Sequence, residues 1–269
     1  MKIITNKKKL IEEINGYNDI GFVPTMGALH NGHISLIKKS IFQSNKTIVS
    51  IFINKPQFNK KKDFIKYPRN NKKDILLLKK LKIDILYLPT HNDIYPSGPN
   101  KNIKINKFSK ELCGKFRPKH FESIVDVVER FVKIINPKRI YFGQKDFQQL
   151  LLVEDYIKKN LIKTKVIKCK TIREKTGLAY SSRNMLLTKK EKLTASKVFK
   201  FFKKNKSYIF RNNISIKLIK SKLLNFGIDK VEYIKYLNIN KIIKPYKKNK
   251  RYKVFIAYYI NSVRLIDNI

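Results

Sequence analysis

The feature that most constrains the fold is a regular alternation over the first two-thirds of the 269-residue chain. Short β-branched runs alternate there with amphipathic stretches, which is typical of a parallel sheet covered by helices. The run at residues 47–53 is almost continuously apolar, as expected for a central strand that is buried on both faces. The pattern predicts an α/β fold with a Rossmann-like, doubly wound parallel sheet. Ligands of such sheets bind at the carboxyl ends of the strands.

The predicted elements of this region follow from hydrophobic periodicity and from the positions of Pro and Gly. The predicted strands are residues 19–23, ending at Pro24, and residues 47–53, 83–88, 139–142 and 165–169. The predicted helices are residues 33–44, 74–81, 121–135 and 147–158, and residues 91–102 are predicted to form a loop.

The character of the chain changes after Asn184. Two lysine-rich helical patterns, residues 189–204 and 214–224, are followed by strand patterns at residues 231–237, 252–260 and 263–266. Helices followed by strands predict a separate, smaller α+β domain. We therefore expect a first domain over residues 1–184 and a C-terminal lid domain over residues 185–269.

The formal net charge of +42 ordinarily indicates binding to nucleic acid or to an anionic membrane surface. Here the lysines are spread along the whole chain, which favours a generally solvated basic surface; a polyanion-binding site is the alternative that stays open. No apolar run approaches the roughly 20 residues of a membrane-spanning helix, and no signal peptide is recognised. We expect a cytoplasmic protein with two reduced cysteines, no membrane association and no specific nucleic-acid partner.

The strongest motif is PTMGALHNGH at residues 24–33, directly after the first predicted strand. His30 and His33 are three residues apart at the start of a predicted helix, so they lie on one face. Glycines at positions 27 and 32 allow a nucleotide to approach the backbone, and the amides of a helix N-terminus favour phosphate. Imidazole donors suit the charge that develops during attack on an α-phosphate. We call residues 26–33 the nucleotide turn.

At these residues the chain resembles the pantothenate synthetase (pantoate–β-alanine ligase) family of the His-x-Gly-His nucleotidyltransferase superfamily. Further similar motifs follow in the same order along the chain. They are SIFINKPQF at residues 50–58, YPR at 67–69, RPKHF at 117–121, FGQKDFQQ at 142–149, SSRN at 181–184 and RLIDN at 264–268. The resemblance covers essentially the entire chain.

The resemblance implies a set of site residues. ATP would be bound by Met26, Gly27, Ala28, Leu29, His30, Asn31, Gly32 and His33, by Gly143, Gln144, Lys145 and Asp146, and by Ile172, Tyr180, Ser181, Ser182 and Arg183. The catalytic groups among them would be His30, His33, Lys145 and Arg183. Gln57 and Gln149 would bind the acid through neutral amides, which leave its carboxylate nucleophilic.

The same resemblance implies the reaction. ATP would activate (R)-pantoate as a pantoyl adenylate, and β-alanine would then convert the adenylate to pantothenate, with release of AMP and pyrophosphate. Mg²⁺ would accompany ATP without protein ligands, and the chain would form a homodimer. The alternatives are a nucleotidyltransferase of the same superfamily, a nucleic-acid-binding module and an inactive relative.

Besides a proline moved by one place within residues 54–57, four residues depart from the family pattern. Lys119 replaces a glycine, which strains the loop if this position has a positive φ. Ser123 and Asp126 replace small residues where a helix packs. Lys73 stands where relatives often have an acidic residue near the metal, beside the retained Asp74.

Overall fold

The structure is a computed structural model that describes residues 1–211 and 214–269. It divides into two compact units. The first contains residues 1–144 and 148–170, and the second contains residues 145–147 and 171–269. The domain boundary after Asn184 stays a prediction.

The first unit is built on a six-stranded sheet. Its strands are β1 (Lys2–Ile4), β2 (Ile20–Thr25), β3 (Lys46–Ile51), β4 (Ile85–Tyr87), β5 (Arg139–Gly143) and β6 (Lys165–Cys169). The spatial order is β1-β4-β3-β2-β5-β6, and every neighbouring pair is parallel. Because the chain runs outward from β2 in both directions, the sheet is doubly wound, and the predicted fold class is confirmed.

Helices connect these strands. They are α1 (Lys7–Ile14), α2 (Asn31–Gln43), α3 (Lys61–Lys66), α4 (Asn71–Lys80), α5 (His91–Ile94), α6 (Cys113–Phe116), α7 (His120–Ile135) and α8 (Phe147–Lys159). Short 3₁₀ helices occupy Lys55–Gln57, Lys107–Lys110 and Gln144–Asp146. In α7 the apolar residues Ile124, Val127, Val128, Phe131 and Ile135 are buried. Phe131 packs on the rings of Phe22 and Phe52 at centroid distances of 5.3 and 6.0 Å. Burying one such side chain stabilises the fold by about 1.5–3 kcal/mol.

The sequence patterns missed or misplaced several features of this unit. Strand β1 and helix α1 were not predicted, because β1 is three residues long with only Ile4 buried and α1 opens with three lysines. The predicted loop at residues 91–102 begins with α5, which a capping box between Thr90 and Asp93 starts. Strand β2 continues through Pro24, which is possible because the pairing of β2 with β5 involves only Gly21 and Phe22.

The second unit is α+β, as predicted. Its helices are α9 (Lys189–Arg211) and α10 (Ile216–Leu224), preceded by a 3₁₀ helix at Ser182–Leu186. Its strands, β7 (Lys230–Asn238), β8 (Tyr252–Ile260) and β9 (Val263–Asn268), form an antiparallel sheet in that order, with a 3₁₀ helix at Ile239–Lys241. Phe202 and Leu223 from the helices and Val254 and Ile256 from β8 are buried in one core.

Two further observations bear on the expectations. Within residues 1–211 and 214–269, none of the helices has the length and apolar character needed to cross a bilayer. Cys113 and Cys169 are both buried thiols.

Candidate active site

The nucleotide turn follows β2 and has an unusual backbone. Gly27 has a φ of +76° and Ala28 a φ of +50°. A Cβ on Gly27 would lie 3.0 Å from Ile51 Cγ2 and 3.2 Å from Asp74 Oδ2, so only glycine fits without displacing its neighbours. The Gly27 amide donates to Thr25 Oγ1 over 3.2 Å. This conformation turns the chain sharply between the end of β2 and the start of α2.

The two histidines of the turn stack on each other. The ring centroids of His30 and His33 are 4.1 Å apart, with an interplanar angle of 28°. His30 is the N-cap of α2, and its Nδ1 accepts a hydrogen bond from the Gly32 amide over 3.1 Å. Since Nδ1 accepts, the proton of the neutral ring is on Nε2. His30 is therefore a hydrogen-bond donor through Nε2.

A carboxylate from another element holds the turn. Asp74, in the first turn of α4, accepts hydrogen bonds from the amides of Ala28 at 2.7 Å and Leu29 at 2.9 Å. Burial raises the pKa of the Asp74 carboxyl, and the two amides partly offset that rise. No pattern in the sequence connected Asp74 with this turn.

Residues 54–58, which we call the acid segment, follow β3 and contact the nucleotide turn. Gln57 Oε1 accepts from Asn54 Nδ2 at 3.0 Å, and Gln57 Nε2 lies 3.0 Å from Met26 Sδ. Asn54 is buried, and its Oδ1 accepts from the Tyr95 hydroxyl at 2.7 Å. Burial raises the pKa of Tyr95, which keeps this phenol protonated as a donor. In this arrangement the Gln57 side chain presents its NH₂ group, a suitable donor to a carboxylate or hydroxyl oxygen.

The RPKHF motif holds the backbone of the acid segment. His120 Nδ1 is 2.7 Å from the Gln57 carbonyl oxygen, and Arg117 Nη2 donates to the same oxygen at 3.1 Å. Arg117 Nη1 is 2.9 Å from His120 Nε2. Because a guanidinium only donates, His120 Nε2 accepts and His120 Nδ1 carries the proton.

The departures at the start of α7 have structural consequences. Lys119 is the N-cap of α7 and has a φ of +61°, so the expected strain is present at this position, where the family pattern has glycine. Ser123 Oγ lies within hydrogen-bonding distance of two carbonyl oxygens, those of Pro56 at 3.1 Å and Lys119 at 3.0 Å. Ser123 therefore connects α7 to the acid segment.

Asp126 is buried and forms an ion pair with the partly exposed Arg130. The two side chains are 2.6 Å apart, and Asp126 Oδ2 also accepts from the Asn100 amide at 2.9 Å. Arg130 donates to the carbonyl oxygens of Ile94 and Gly98 and lies over the Tyr95 ring. This pair fixes the loop that carries Tyr95, the partner of Asn54.

In the second unit, Lys145 is held through its backbone. Its carbonyl oxygen accepts from Asn268 Nδ2 at 2.8 Å, and Asn268 Oδ1 accepts from Lys253 Nζ at 2.8 Å. Burial, and then the nearby cations Lys206 and Arg251, lower the pKa of Lys253 to about 8. The C-terminal strand β9 thus holds the segment that contains Lys145.

The serine–arginine segment of this unit is also ordered by short-range contacts. Ser181 caps the 3₁₀ helix, since its Oγ accepts from the Arg183 amide at 3.3 Å. The Tyr180 amide donates to the Ile172 carbonyl oxygen at 3.1 Å. Arg173, beside Ile172, forms a bidentate ion pair with Asp267 at 2.6 and 2.8 Å.

The predicted site residues are divided between the two units. The nucleotide turn, Gln57, Gly143, Gln144 and Gln149 belong to the first unit, and Lys145, Asp146, Ile172, Tyr180, Ser181, Ser182 and Arg183 belong to the second. Within the first unit the structure brings Met26 to Gln57 and His30 to His33, while Gln149 lies half-buried in the first turn of α8. The roles of these residues stay predictions.

The same residues offer no set of protein ligands for a metal. Over the part of the chain that the structure describes, no group of three His, Cys, Asp or Glu side chains is arranged to hold a metal ion. Both oxygens of Asp74 already accept backbone amides. The residues present do not fit a protein-held ion at this position.

Sequence comparison identifies relatives along the whole chain. A family profile described as pantoate-beta-alanine ligase matches residues 2–269. The pantothenate synthetase of Endomicrobium trichonymphae is 38% identical over 275 residues, covering 100% of this chain and 97% of the relative. That of Azobacteroides pseudotrichonymphae is 41% identical over 257 residues, covering 93% and 91%.

Solved structures agree with this relationship. The pantoate-beta-alanine ligase of Francisella tularensis, solved in complex with beta-gamma ATP and beta-alanine, has a TM-score of 0.85 at 38% identity and covers 100% of this chain and 97% of that one. The enzyme of Thermus thermophilus has a TM-score of 0.88 at 27% identity, covering 100% and 99%. The chain therefore belongs to the pantoate–β-alanine ligase family.

Proposed function

We propose that this chain joins (R)-pantoate to β-alanine with ATP, by way of a pantoyl adenylate, and releases AMP and pyrophosphate. The ligation is the reaction of the family to which the whole chain belongs. One structural observation supports this chemistry most directly. The donor amide of Gln57 lies 3.0 Å from Met26, so a group suited to an acid substrate sits beside the nucleotide turn.

In the first step, a carboxylate oxygen of pantoate attacks the α-phosphorus of ATP, and the bond to the pyrophosphate oxygen breaks. Negative charge builds on the non-bridging oxygens, where the imidazole N–H groups of His30 and His33 stabilise it. Gln57 and Gln149 hold the acid without adding charge. The negative charge that develops on the departing pyrophosphate is stabilised by Lys145, by Arg183 and by the hydroxyls of Ser181 and Ser182.

The further proposed contacts concern the nucleoside. Asp146 accepts hydrogen bonds from the ribose, and the backbone around Ile172 and Tyr180 contacts adenine. Since the Tyr180 amide donates to the Ile172 carbonyl oxygen, the adenine contacts come from the other backbone groups of this segment.

In the second step, the neutral amine of β-alanine attacks the acyl carbon of the adenylate. A carbon–nitrogen bond forms, the carbon–oxygen bond to AMP breaks, and the ammonium proton is lost. Positioning and charge stabilisation supply the rate enhancement, and no covalent bond to the enzyme forms.

Three finer points belong to the same proposal. Mg²⁺ accompanies ATP and is bound by phosphate oxygens and water, in keeping with the reluctance of this ion to give up its water ligands. The chain acts as a homodimer, which sedimentation equilibrium tests. It works in the cytoplasm, which fractionation of cells tests.

The test is exchange of labelled pyrophosphate into ATP with β-alanine left out. We expect exchange that requires pantoate. In His33→Ala we expect the exchange rate to fall by about 10²–10³-fold, as for removal of one hydrogen-bond donor to the transition state. A circular dichroism spectrum identical to that of the wild type is the control for folding. Exchange without pantoate, or none until amine is added, contradicts the two-step reaction.

The same assay separates the competing functions. A nucleotidyltransferase of the superfamily would require a phosphorylated substrate in place of pantoate. A nucleic-acid-binding module would show salt-dependent RNA binding and no exchange.

A further inference from the structure

Asp74 is a buried carboxylate whose two oxygens are used by two consecutive amides. Asp74 is only 2% exposed. Oδ2 accepts from the Ala28 amide at 2.7 Å, and Oδ1 accepts from the Leu29 amide at 2.9 Å. Hydrogen bonds to an ionised carboxylate are about twice as strong as those between neutral groups. Asp74 therefore fixes two successive peptide units of the nucleotide turn.

Those peptide units lie where the backbone adopts an unfavourable conformation. Ala28 has a φ of +50°, which an alanine rarely adopts, and it follows Gly27 at +76°. Such conformations persist only where surrounding contacts determine them. The next residues are Leu29, which is buried, and His30, whose ring stacks on His33. A change in the peptide units at 28 and 29 thus moves the two imidazoles.

The same contacts argue against a metal at Asp74. A divalent cation takes several oxygen ligands, whereas here each Asp74 oxygen already accepts from an N–H donor, and among the described residues no group of three His, Cys, Asp or Glu side chains is arranged to hold a metal ion. Burial raises the pKa of Asp74, and the preceding residue, Lys73, adds a positive charge that offsets a small part of that rise. The Asp74 carboxylate therefore serves as an acceptor of hydrogen bonds from backbone amides.

We infer that Asp74 is a positioning residue, which holds the nucleotide turn in its strained conformation and so places His30 and His33 for phosphate chemistry. This inference rests on the proposed function. It also has a consequence for substrate binding, because the amides of Ala28 and Leu29 are directed at Asp74. ATP phosphates are therefore bound by other groups of the turn.

The variant Asp74→Asn tests the inference with little change in size. Its amide keeps one acceptor oxygen but turns an NH₂ group towards a backbone N–H. We expect kcat for pantoate-dependent pyrophosphate exchange to fall by about 100-fold, the effect of a misplaced reacting group. KM for ATP should change by less than about threefold, since ground-state binding is retained. Asp63→Asn, the same chemical change in α3, should leave both constants unaltered.

A direct readout is independent of activity. In the wild type, the amide protons of Ala28 and Leu29 should resonate downfield, and in Asp74→Asn at least one of them should move upfield. The double variant Ala28→Gly with Asp74→Asn should recover at least about threefold in kcat, because glycine adopts the positive φ without support. The magnesium concentration for half-maximal exchange should be the same in wild type and in Asp74→Asn.

Several outcomes overturn the inference. Unchanged kcat or unchanged amide shifts in Asp74→Asn would remove the positioning role, and a large shift in magnesium dependence would make Asp74 a metal ligand. If Asp74→Asn does not fold, the deciding measurement is made on the wild type. It is the chemical shift of the Ala28 and Leu29 amide protons and its response to protonation of Asp74 at low pH. Failure of wild-type exchange would contradict the proposed function itself, whereas wild-type exchange with a silent Asp74 contradicts only this inference.

Discussion

The substitution Lys119→Gly should stabilise the protein. Lys119 precedes α7 with a φ of +61° and a ψ of 5°, in the left-handed region. Its side chain is exposed and makes no capping hydrogen bond, so glycine loses no contact of the side chain. The Lys119 carbonyl oxygen, which accepts from the Ser123 amide at 3.1 Å, is kept.

The magnitude follows from two opposing effects on the free energy of unfolding. The left-handed conformation costs a residue with a side chain roughly 1–2 kcal/mol. Glycine offsets part of this gain, because it loses about 0.5–1 kcal/mol more conformational entropy on folding. The expected net stabilisation is about 0.5–1 kcal/mol, or about 1–3 °C in Tm for a chain of this size.

The matched control lies at the other end of the same helix. Asn136, the C-cap of α7, has a φ of 46° and a ψ of 53°, but asparagine tolerates this region well. We therefore expect Asn136→Gly to gain less than Lys119→Gly in urea unfolding followed by circular dichroism. A loss of stability in Lys119→Gly, or an equal gain in both variants, refutes the strain argument.

Three further predictions concern buried polar contacts. The pKa of Lys253 is about 8 in the folded state and ordinarily 10.5, so between these pH values the unfolded state still binds a proton that the folded state has lost. The free energy of unfolding of the wild type should therefore rise from pH 8 to pH 10.5, and Lys253→Met should remove this rise. The full shift corresponds to about 3 kcal/mol, and partial exposure of Lys253 reduces the expected change in the free energy of unfolding to about 1–2 kcal/mol, measured by urea unfolding at pH 7.5 and 10. Asn268→Ala removes the donor to the Lys145 carbonyl oxygen and should raise KM for ATP about tenfold in the exchange assay, equal to a loss of about 1.4 kcal/mol; an unchanged KM would mean that this contact does not position Lys145. Tyr95→Phe leaves Asn54 Oδ1 without its hydroxyl donor, so it should cost about 1–3 kcal/mol in urea unfolding and raise KM for pantoate; a rise confined to KM for ATP would contradict the link through Asn54 to Gln57.

Hydrophobic periodicity predicted the central elements well and the N-terminal ones poorly. The strands at residues 165–169 and 252–260 begin and end where the patterns placed them. Residues 2–4 and 7–14 were missed because these elements are only three and eight residues long, which leaves too few positions to reveal a period. The extension of β2 through Pro24 depends on which neighbouring strand pairs with this part of β2. That pairing is set by the order of strands in the sheet, which local sequence patterns do not reveal.

The candidate site was predictable where its geometry is local. A spacing of three residues at a helix start was sufficient to place His30 and His33 on one face. Asp74 was not connected to the turn, since it lies 46 residues from Ala28 in the sequence. Asn54 offered a weak signal, as an amide at the end of an otherwise apolar run, but its function depends on Tyr95, which is 41 residues away.

The most direct test of the central claim follows the carboxylate oxygens of pantoate. With ¹⁸O in both carboxylate oxygens and with β-alanine present, we expect one ¹⁸O in the phosphate of each AMP and none in pyrophosphate. This follows because the attacking oxygen bonds to the α-phosphorus and stays there when the acyl–oxygen bond breaks. AMP without label, or label in pyrophosphate, would contradict activation of the acid as an adenylate.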